Sequence, residues 1–242
     1  IYGEGAYLCK EHGEVFPAER FEIDLKKGEF DLRCPKCSDF VCPIATNETA
    51  IPNPLSFYAL TKQAQEQMII MYSKILGISG YALRYQNVYG PGQSLKNPYT
   101  GIMAIFSTLA RKGETIKIFE DGKESRDFVY IDDVVQATWN CILPESKGVG
   151  AYNVGTGKPT SINQVANLIV KYLESDSDIE VTGEYRLGDI RHNFADLNKA
   201  EKELSFSSNI EIEDGLKKFL DWAIDQPIPE LGFTSSLKKL TR

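Results

Sequence analysis

SFYALTKQAQEQMIIMYSKILGISGYALRYQNVYGPG, residues 56–92, is the stretch that decides the fold. Ser56 is a residue type that caps a helix and Gly77 one that stops it. Between them Leu60, Ala64, Met68, Met71 and Ile75 recur at helical spacing. Upstream, Asn53-Pro54 supplies a turn. Past Gly77 the pattern changes to alternation over residues 79–88, and Tyr81-Ala82-Leu83-Arg84-Tyr85 reads as a strand leading into the loop Gly90-Pro91-Gly92.

Working outward, the same alternation of helix and strand continues. Residues 101–112 read as a helix, Thr115–Phe119 as a strand and Arg126–Ile131 as another. Asp132 is positioned to cap a helix to about Leu143, with Asp133 beside it as a further cap residue. Ala151–Val154 is a strand ending in Gly155-Thr156-Gly157, and Ser161 caps a helix to about Leu173. A strand at Ile179–Thr182 and helices near 198–204 and 211–225 complete the chain. Strands alternating with helices predict an α/β domain.

The apolar share is 42%, the charged share 25% and the net charge −7, an ordinary composition for a folded protein rather than a nucleic-acid binder. With eight arginines in 242 residues, an anionic ligand would have to be met by individually placed guanidinium groups. No apolar run approaches the roughly 18 residues that a membrane span needs, and a signal peptide is not expected. A cytoplasmic protein is expected.

Residues 6–46 differ from the rest. They hold Cys9, Cys34, Cys37 and Cys42, one of two histidines and little helical periodicity, and read as an inserted module. Cys9-x-x-His12 and Cys34-x-x-Cys37 are two short knuckles, and paired knuckles make a closed tetrahedral zinc site. His12 restores the paired spacing, and Cys42 is the alternative fourth ligand. Four protein ligands leave no open position, so such a zinc is structural. Cys141 falls in an apolar helical pattern and reads as core, and His192 as an ordinary loop or strand residue.

Tyr58 and Lys62 are four apart and share one helix face. An ammonium beside a phenol favours phenolate, which suits the phenol to take a proton from a sugar hydroxyl. The ordered companions are Arg84-Tyr85-Gln86-Asn87-Val88-Tyr89-Gly90-Pro91, Arg126-Asp127-Phe128-Val129-Tyr130-Ile131-Asp132-Asp133, Asn153-Val154-Gly155 and Arg186-x-Gly188-Asp189.

This series resembles the extended short-chain dehydrogenase/reductase family, the nucleotide-sugar epimerases and dehydratases. The cysteine-bearing insert and the run Gly92–Gly101 resemble its dTDP-L-rhamnose 4-epimerase branch. The resemblance implies the C-terminal two-thirds of a Rossmann-type enzyme. Residues 1–5 would end a Rossmann strand, 6–46 form a zinc-ribbon-like insert and 47–98 the rest of the NAD-binding core. Residues 99–242 would be mainly a substrate-binding lobe, with segments returning to the core. No Gly-rich dinucleotide loop occurs. An upstream part with that loop and a catalytic Ser or Thr is expected, without which the chain would neither hold NAD nor turn over.

The same resemblance implies roles. Tyr58 is catalytic acid and base, and Lys62 contacts the nicotinamide ribose. Tyr85 and the backbone near Val88 lie on the cofactor side. Asn87, Arg126, Arg186 and Asp189 meet the nucleotide-diphosphate sugar, with Arg191 a weaker candidate. The implied reaction is transient C4 oxidation by NAD to a 4-keto sugar and re-reduction on the other face, in a homodimer built on the Tyr58 helix; simple core packing would explain that helix's apolar stripe equally well. A 4,6-dehydratase or reductase of the same fold, or a non-catalytic zinc-bearing interaction protein, is the alternative.

Overall fold

A computed structural model describes residues 1–95, 101–143 and 147–229. At Ile1–Gly5 the Gly5 N–H donates to the Tyr2 carbonyl, and the Ile1 carbonyl accepts from the Asn53 N–H. The insert follows as β1 (Tyr7–Cys9), β2 (Gly13–Val15), α1 (Glu22–Leu25) and β3 (Cys42–Pro43), with strand order β2-β1-β3, all antiparallel. Its core is small: Tyr7, Val15, Leu32 and Val41 pack around Cys9 and Cys34. The Ala6 N–H donates to Thr46 Oγ1 at 2.9 Å and the Ile44 N–H to the Ala6 carbonyl at 3.0 Å, so the chain enters and leaves the insert side by side.

Helix α2 (Phe57–Leu76) begins where Ser56 Oγ accepts from the Ala59 N–H at 3.1 Å and ends at Gly77, whose φ is +64°. The alternating stretch after it is two strands, β4 (Gly80–Tyr85) and β5 (Asn87–Tyr89), which break at Gln86 and take different partners. Then come α3 (Ile102–Lys112), β6 (Ile116–Ile118), β7 (Ser125–Arg126), β8 (Phe128–Tyr130), α4 (Ile131–Ile142), β9 (Val149–Val154) and β10 (Thr160–Ser161). The last elements are α5 (Ile162–Tyr172), β11 (Ile179–Val181), β12 (His192–Asn193), α6 (Asn198–Leu204) and α7 (Ile212–Ile224).

The ladders among these are mostly parallel, as an α/β fold requires. β4 runs beside β9 from Gly80↔Val149 to Tyr85↔Val154, β5 beside β8, β6 beside β11 and β7 beside β12; β7 and β10 are antiparallel. The expected single strand at 126–131 is thus split at Asp127, with Arg126 in one sheet and Phe128 in another. Ser161 caps α5 as its position suggests, accepting from Gln164 N–H. Asp132 does not cap α4: Tyr130 is the N-cap, and Asp132 and Asp133 sit in the first turn. There Asp133 is buried and accepts from Ser208 Oγ and from the N–H groups of Asn209 and Ile210.

Two apolar cores follow from the helix faces. Met103 and Phe106 of α3, Val165 and Ile169 of α5, and Leu216, Phe219 and Leu220 of α7 close over Ile116 and Ile118. Val129, Val154, Ala137, Leu204 and Phe206 form the second, with Cys141 packed at its edge. The α2 stripe belongs to neither. Leu60, Met68, Met71 and Ile75 are all more than half exposed, and only Ser73 of α2 is buried. None of the described helices is long and apolar enough to cross a membrane.

Candidate active site

Two ion pairs and a hub of backbone bonds fix the residues that carry chemistry. Arg84 of β4 makes a fork to Glu66 of α2, Nε to Oε2 at 2.7 Å and Nη2 to Oε1 at 2.6 Å. Its Nη1 also donates to the Tyr2 hydroxyl, which donates in turn to Asn153 Oδ1. A bidentate, largely buried pair of this kind sets the angle and rotation of a helix. Tyr58 lies two turns before Glu66 on α2, with its side chain open to solvent. Lys62 Nζ stands 5.4 Å from the Tyr58 ring centroid and donates to Gln65 Oε1 at 3.3 Å. The pair is therefore adjacent, with a phenol accessible to an incoming hydroxyl and an ammonium beside it.

Asn87 and Val88 lie on β5 opposite Phe128 and Val129, at the end of the sheet reached from β4, and the Asn87 N–H donates to the Asp127 carbonyl. Ligands collect at such strand ends in α/β sheets. The Tyr85 hydroxyl is directed away from this edge, to Thr138 Oγ1 at 2.9 Å on α4. Asp127 is the hub. Fully buried, its carboxylate accepts from Thr156 N–H and Oγ1, each at 2.7 Å, from Gly157 N–H at 3.0 Å and from Ala195 N–H at 3.1 Å. The approach is so close that a Cβ on Gly155 would fall 2.4 Å from Asp127 Oδ2, which explains the glycine after Asn153-Val154.

Arg126, Asp189 and Arg186 gather beside it. Arg126 Nη2 meets Asp189 Oδ1 at 2.9 Å and the Ile190 carbonyl at 2.7 Å, and Nη1 donates to the carbonyls of Ser125 and Arg191. Arg186 shares a turn with Asp189, whose N–H donates to the Arg186 carbonyl, and its guanidinium stacks on Phe119 with the centroid 4.6 Å away. Its Nε is buried without a partner, and among the described residues Arg186 makes no salt bridge. It is a cation left without an acid beside an arginine–carboxylate pair, an arrangement that can receive a diphosphate.

Arg191, the weaker candidate, is removed from that role. It is 1% exposed, and its guanidinium is spent on Asp31, Glu120 and Asp121 at 2.7–3.0 Å. Sequence reading missed this network and its second cation. Arg20 of the insert pairs with Glu120 at 2.8 Å, approaches Glu4 at 3.4 Å and donates to the Asp189 carbonyl at 2.7 Å. No local pattern signals it, because its members lie up to 187 residues apart. Asp127 was legible only as part of a run whose arginine drew attention.

In the insert, Cys9, His12, Cys34 and Cys37 bring their donor atoms within 4.8 Å of one another, while Cys42 is exposed on β3 outside the cluster. A tetrahedral zinc with bonds of about 2.3 Å to sulfur and about 2.05 Å to nitrogen has S–S edges of about 3.8 Å and S–N edges of about 3.6 Å. The structure gives 3.7 Å for Cys9 Sγ–Cys37 Sγ, and 3.5 and 3.7 Å from His12 Nδ1 to Cys9 and Cys34 Sγ. The donor set and its dimensions fit zinc. The run Lys96–Thr100 lies outside the described residues.

Residues 36–155 match the NAD dependent epimerase/dehydratase family. The chain is 36% identical over 222 residues, 92% of its length, to a dTDP-L-rhamnose 4-epimerase of Burkholderia thailandensis. Among solved structures it resembles the UDP-glucose 4-epimerase of Thermotoga maritima with UDP-glucose, at 33% identity and a TM-score of 0.69 over 75% of this chain. It also resembles the UDP-glucuronic acid 4-epimerase of Bacillus cereus in complex with UDP-glucuronic acid and NAD, at 28% identity and a TM-score of 0.67 over 74% of this chain. The chain spans 60%, 58% and 56% of the lengths of these three proteins. It belongs to the NAD dependent epimerase/dehydratase family, and its α/β fold is of the Rossmann type that these epimerases share.

Proposed function

We propose that the protein to which this chain belongs is an NAD-dependent nucleotide-sugar 4-epimerase, with dTDP-L-rhamnose and its 4-epimer, dTDP-6-deoxy-L-talose, as the leading substrate pair. The observation that carries the reading is the Tyr58–Lys62 pair standing together on α2 in a chain of this family. The Burkholderia relative supports the rhamnosyl substrate by its name and by similarity along nearly the whole chain, insert included.

NAD, when bound, supplies the hydride acceptor and donor for sugar C4. Tyr58 takes the C4 hydroxyl proton and returns it when the carbonyl is reduced. Lys62 stands beside the phenol and would hold the nicotinamide ribose, with the backbone around Val88 alongside. Arg186, with the Arg126–Asp189 pair and Asn87, holds the diphosphate, so that the sugar alone is free to turn over between the two hydride steps. The Cys9, His12, Cys34 and Cys37 cage holds a structural zinc, which stabilises an insert too small to fold on its apolar core alone. The exposed apolar stripe of α2 supports a homodimer formed across that helix.

The test is turnover of dTDP-L-rhamnose by the intact protein without added reductant, followed by NMR, beside Tyr58→Phe. Interconversion with the 4-epimer that Tyr58→Phe lowers by at least about 10³-fold at unchanged NAD content is the expected result. Bound NAD without any epimer moves the reading to a UDP-sugar or to dehydration.

A further inference from the structure

The insert and the diphosphate clamp are joined by one buried side chain. Arg20 is 5% exposed and reaches from the insert to residues 100 and 169 positions along the chain. Its Nη1 pairs with Glu120 at 2.8 Å, and its Nη2 donates to the Asp189 carbonyl at 2.7 Å. The segment it touches, 189–191, is the one on which Arg126 depends. Three of the four bonds Arg126 makes go to Asp189 Oδ1 and to the carbonyls of Ile190 and Arg191, and one to Ser125. The orientation of the Arg126 fork is therefore set by where this segment lies. A second strut runs from the insert to the same segment, from Asp31 to Arg191 Nη2 at 2.8 Å, and Glu4 receives the Arg191 N–H at 2.8 Å. An arginine can bridge a carboxylate and a backbone carbonyl at once because its donors are fixed in one plane, which an ammonium cannot reproduce.

We propose that Arg20 is a positioning residue for substrate: through it the Cys/His insert holds the 189–191 segment, and with it Arg126 and Asp189, in the geometry that receives a nucleoside diphosphate. The proposal rests on the reading that Arg126, Arg186 and Asp189 meet the diphosphate. It assigns the insert a task in the reaction besides its own stability, since the face that carries Arg20 and Asp31 is the face turned to the clamp.

The experiment is calorimetric titration of the intact protein with dTDP and with UDP, well below the melting temperature, for wild type, Arg20→Met, Arg126→Met and Asp31→Asn. Metal and NAD contents are measured on each, with steady-state kinetics on the sugar substrate. For the tighter of the two nucleotides, Arg20→Met is expected to raise Kd about 10-fold, and to raise KM similarly with kcat within about 2-fold. Metal and NAD contents stay at the wild-type level. A residue that only stabilised the fold would lower the melting temperature and leave Kd unchanged. Arg126→Met separates the two levels of the argument. If it weakens the nucleotide and Arg20→Met does not, the positioning role is wrong; if neither does, the diphosphate reading itself fails. Should Arg20→Met lose metal and NAD and so not fold, Asp31→Asn decides. Asp31 is 57% exposed and tolerates the change; its Kd is expected to rise 2- to 4-fold, and a wild-type Kd overturns the proposal.

Discussion

Arg191→Met removes a guanidinium that is 1% exposed and leaves an apolar side chain of similar length. The cost depends on what each abandoned carboxylate can still do. Asp31, 57% exposed, rehydrates. Asp121, 30% exposed, keeps the Lys123 N–H at 3.1 Å. Glu120, 3% exposed, keeps only Arg20 at 2.8 Å. Breaking a fully buried pair costs about 3–5 kcal/mol, and two of these three acids have an alternative, so the low end applies: about 3 kcal/mol. For a chain of this size that is a fall of roughly 6–12 °C in melting temperature. A pH signature accompanies it. Burial alone would raise the Asp121 carboxyl, but hydrogen bonds and charge from Arg191, with the Lys123 N–H, bring it down to about 2. A carboxyl depressed in the folded state stabilises above its unfolded value and loses that contribution as pH falls towards the folded one. The gap between wild type and variant is therefore widest near neutrality and narrows as pH falls from about 4 towards 2. Chemical denaturation at a series of pH values measures it. A gap below about 1 kcal/mol at pH 7, or one that does not change with acid, refutes the assignment of Arg191 to this network.

Gly155→Ala places a methyl against a carboxylate already held by four donors, so neither side can yield; a loss of about 2–3 kcal/mol in urea unfolding is expected, and a neutral result means the Asp127 hub is looser than described. The intact protein is expected to carry one zinc, lost in Cys37→Ser and kept in Cys42→Ser, as read by elemental analysis, with the insert becoming the first site of protease cleavage when metal is lost. Burial, then the nearby Arg191 cation, hold the His192 imidazole down at about 4. A histidine depressed in the folded state destabilises on acidification between about 6.5 and 4, whereas Glu4 and Glu124, pushed up to about 7 by burial, give the opposite slope between about 4.5 and 7. The comparison of wild type with His192→Asn isolates the first: their stability difference is expected to shift by about 2 kcal/mol between pH 7.5 and 4.5, and a constant difference contradicts a neutral buried imidazole.

What the sequence made legible was local. The bounds of α2 and α5 could be read because Ser56, Gly77 and Ser161 act on backbone groups within four residues of themselves. The gathering of Cys9, His12, Cys34 and Cys37 could be read because two-residue knuckle spacing brings paired side chains to one point. The breaks at Gln86 and Asp127 could not. Both strands run on in apolar alternation, and only the sheet that receives them decides where pairing changes. The reading of Arg191 failed for the same reason. An arginine two residues after a ligand-like Arg-x-Gly-Asp run looks like a further contact, yet acids from two distant segments converge on its guanidinium. The α2 stripe has the right period for a buried face, and period says nothing about which surface covers it.

The adjacency of Ala6 and Thr46 gives the insert the topology of a removable cassette. Its two ends lie side by side, joined by the Ala6–Thr46 and Ile44–Ala6 hydrogen bonds, so a short turn joining residue 5 to residue 46 would close the gap. A lineage could gain or discard the cassette in one genetic step, since α2 with Tyr58 and Lys62 lies outside it. Its loss would also take away Arg20 and Asp31, the partners that the insert supplies to Glu120 and Arg191, so the consequence of the exchange would be felt at the 189–191 segment.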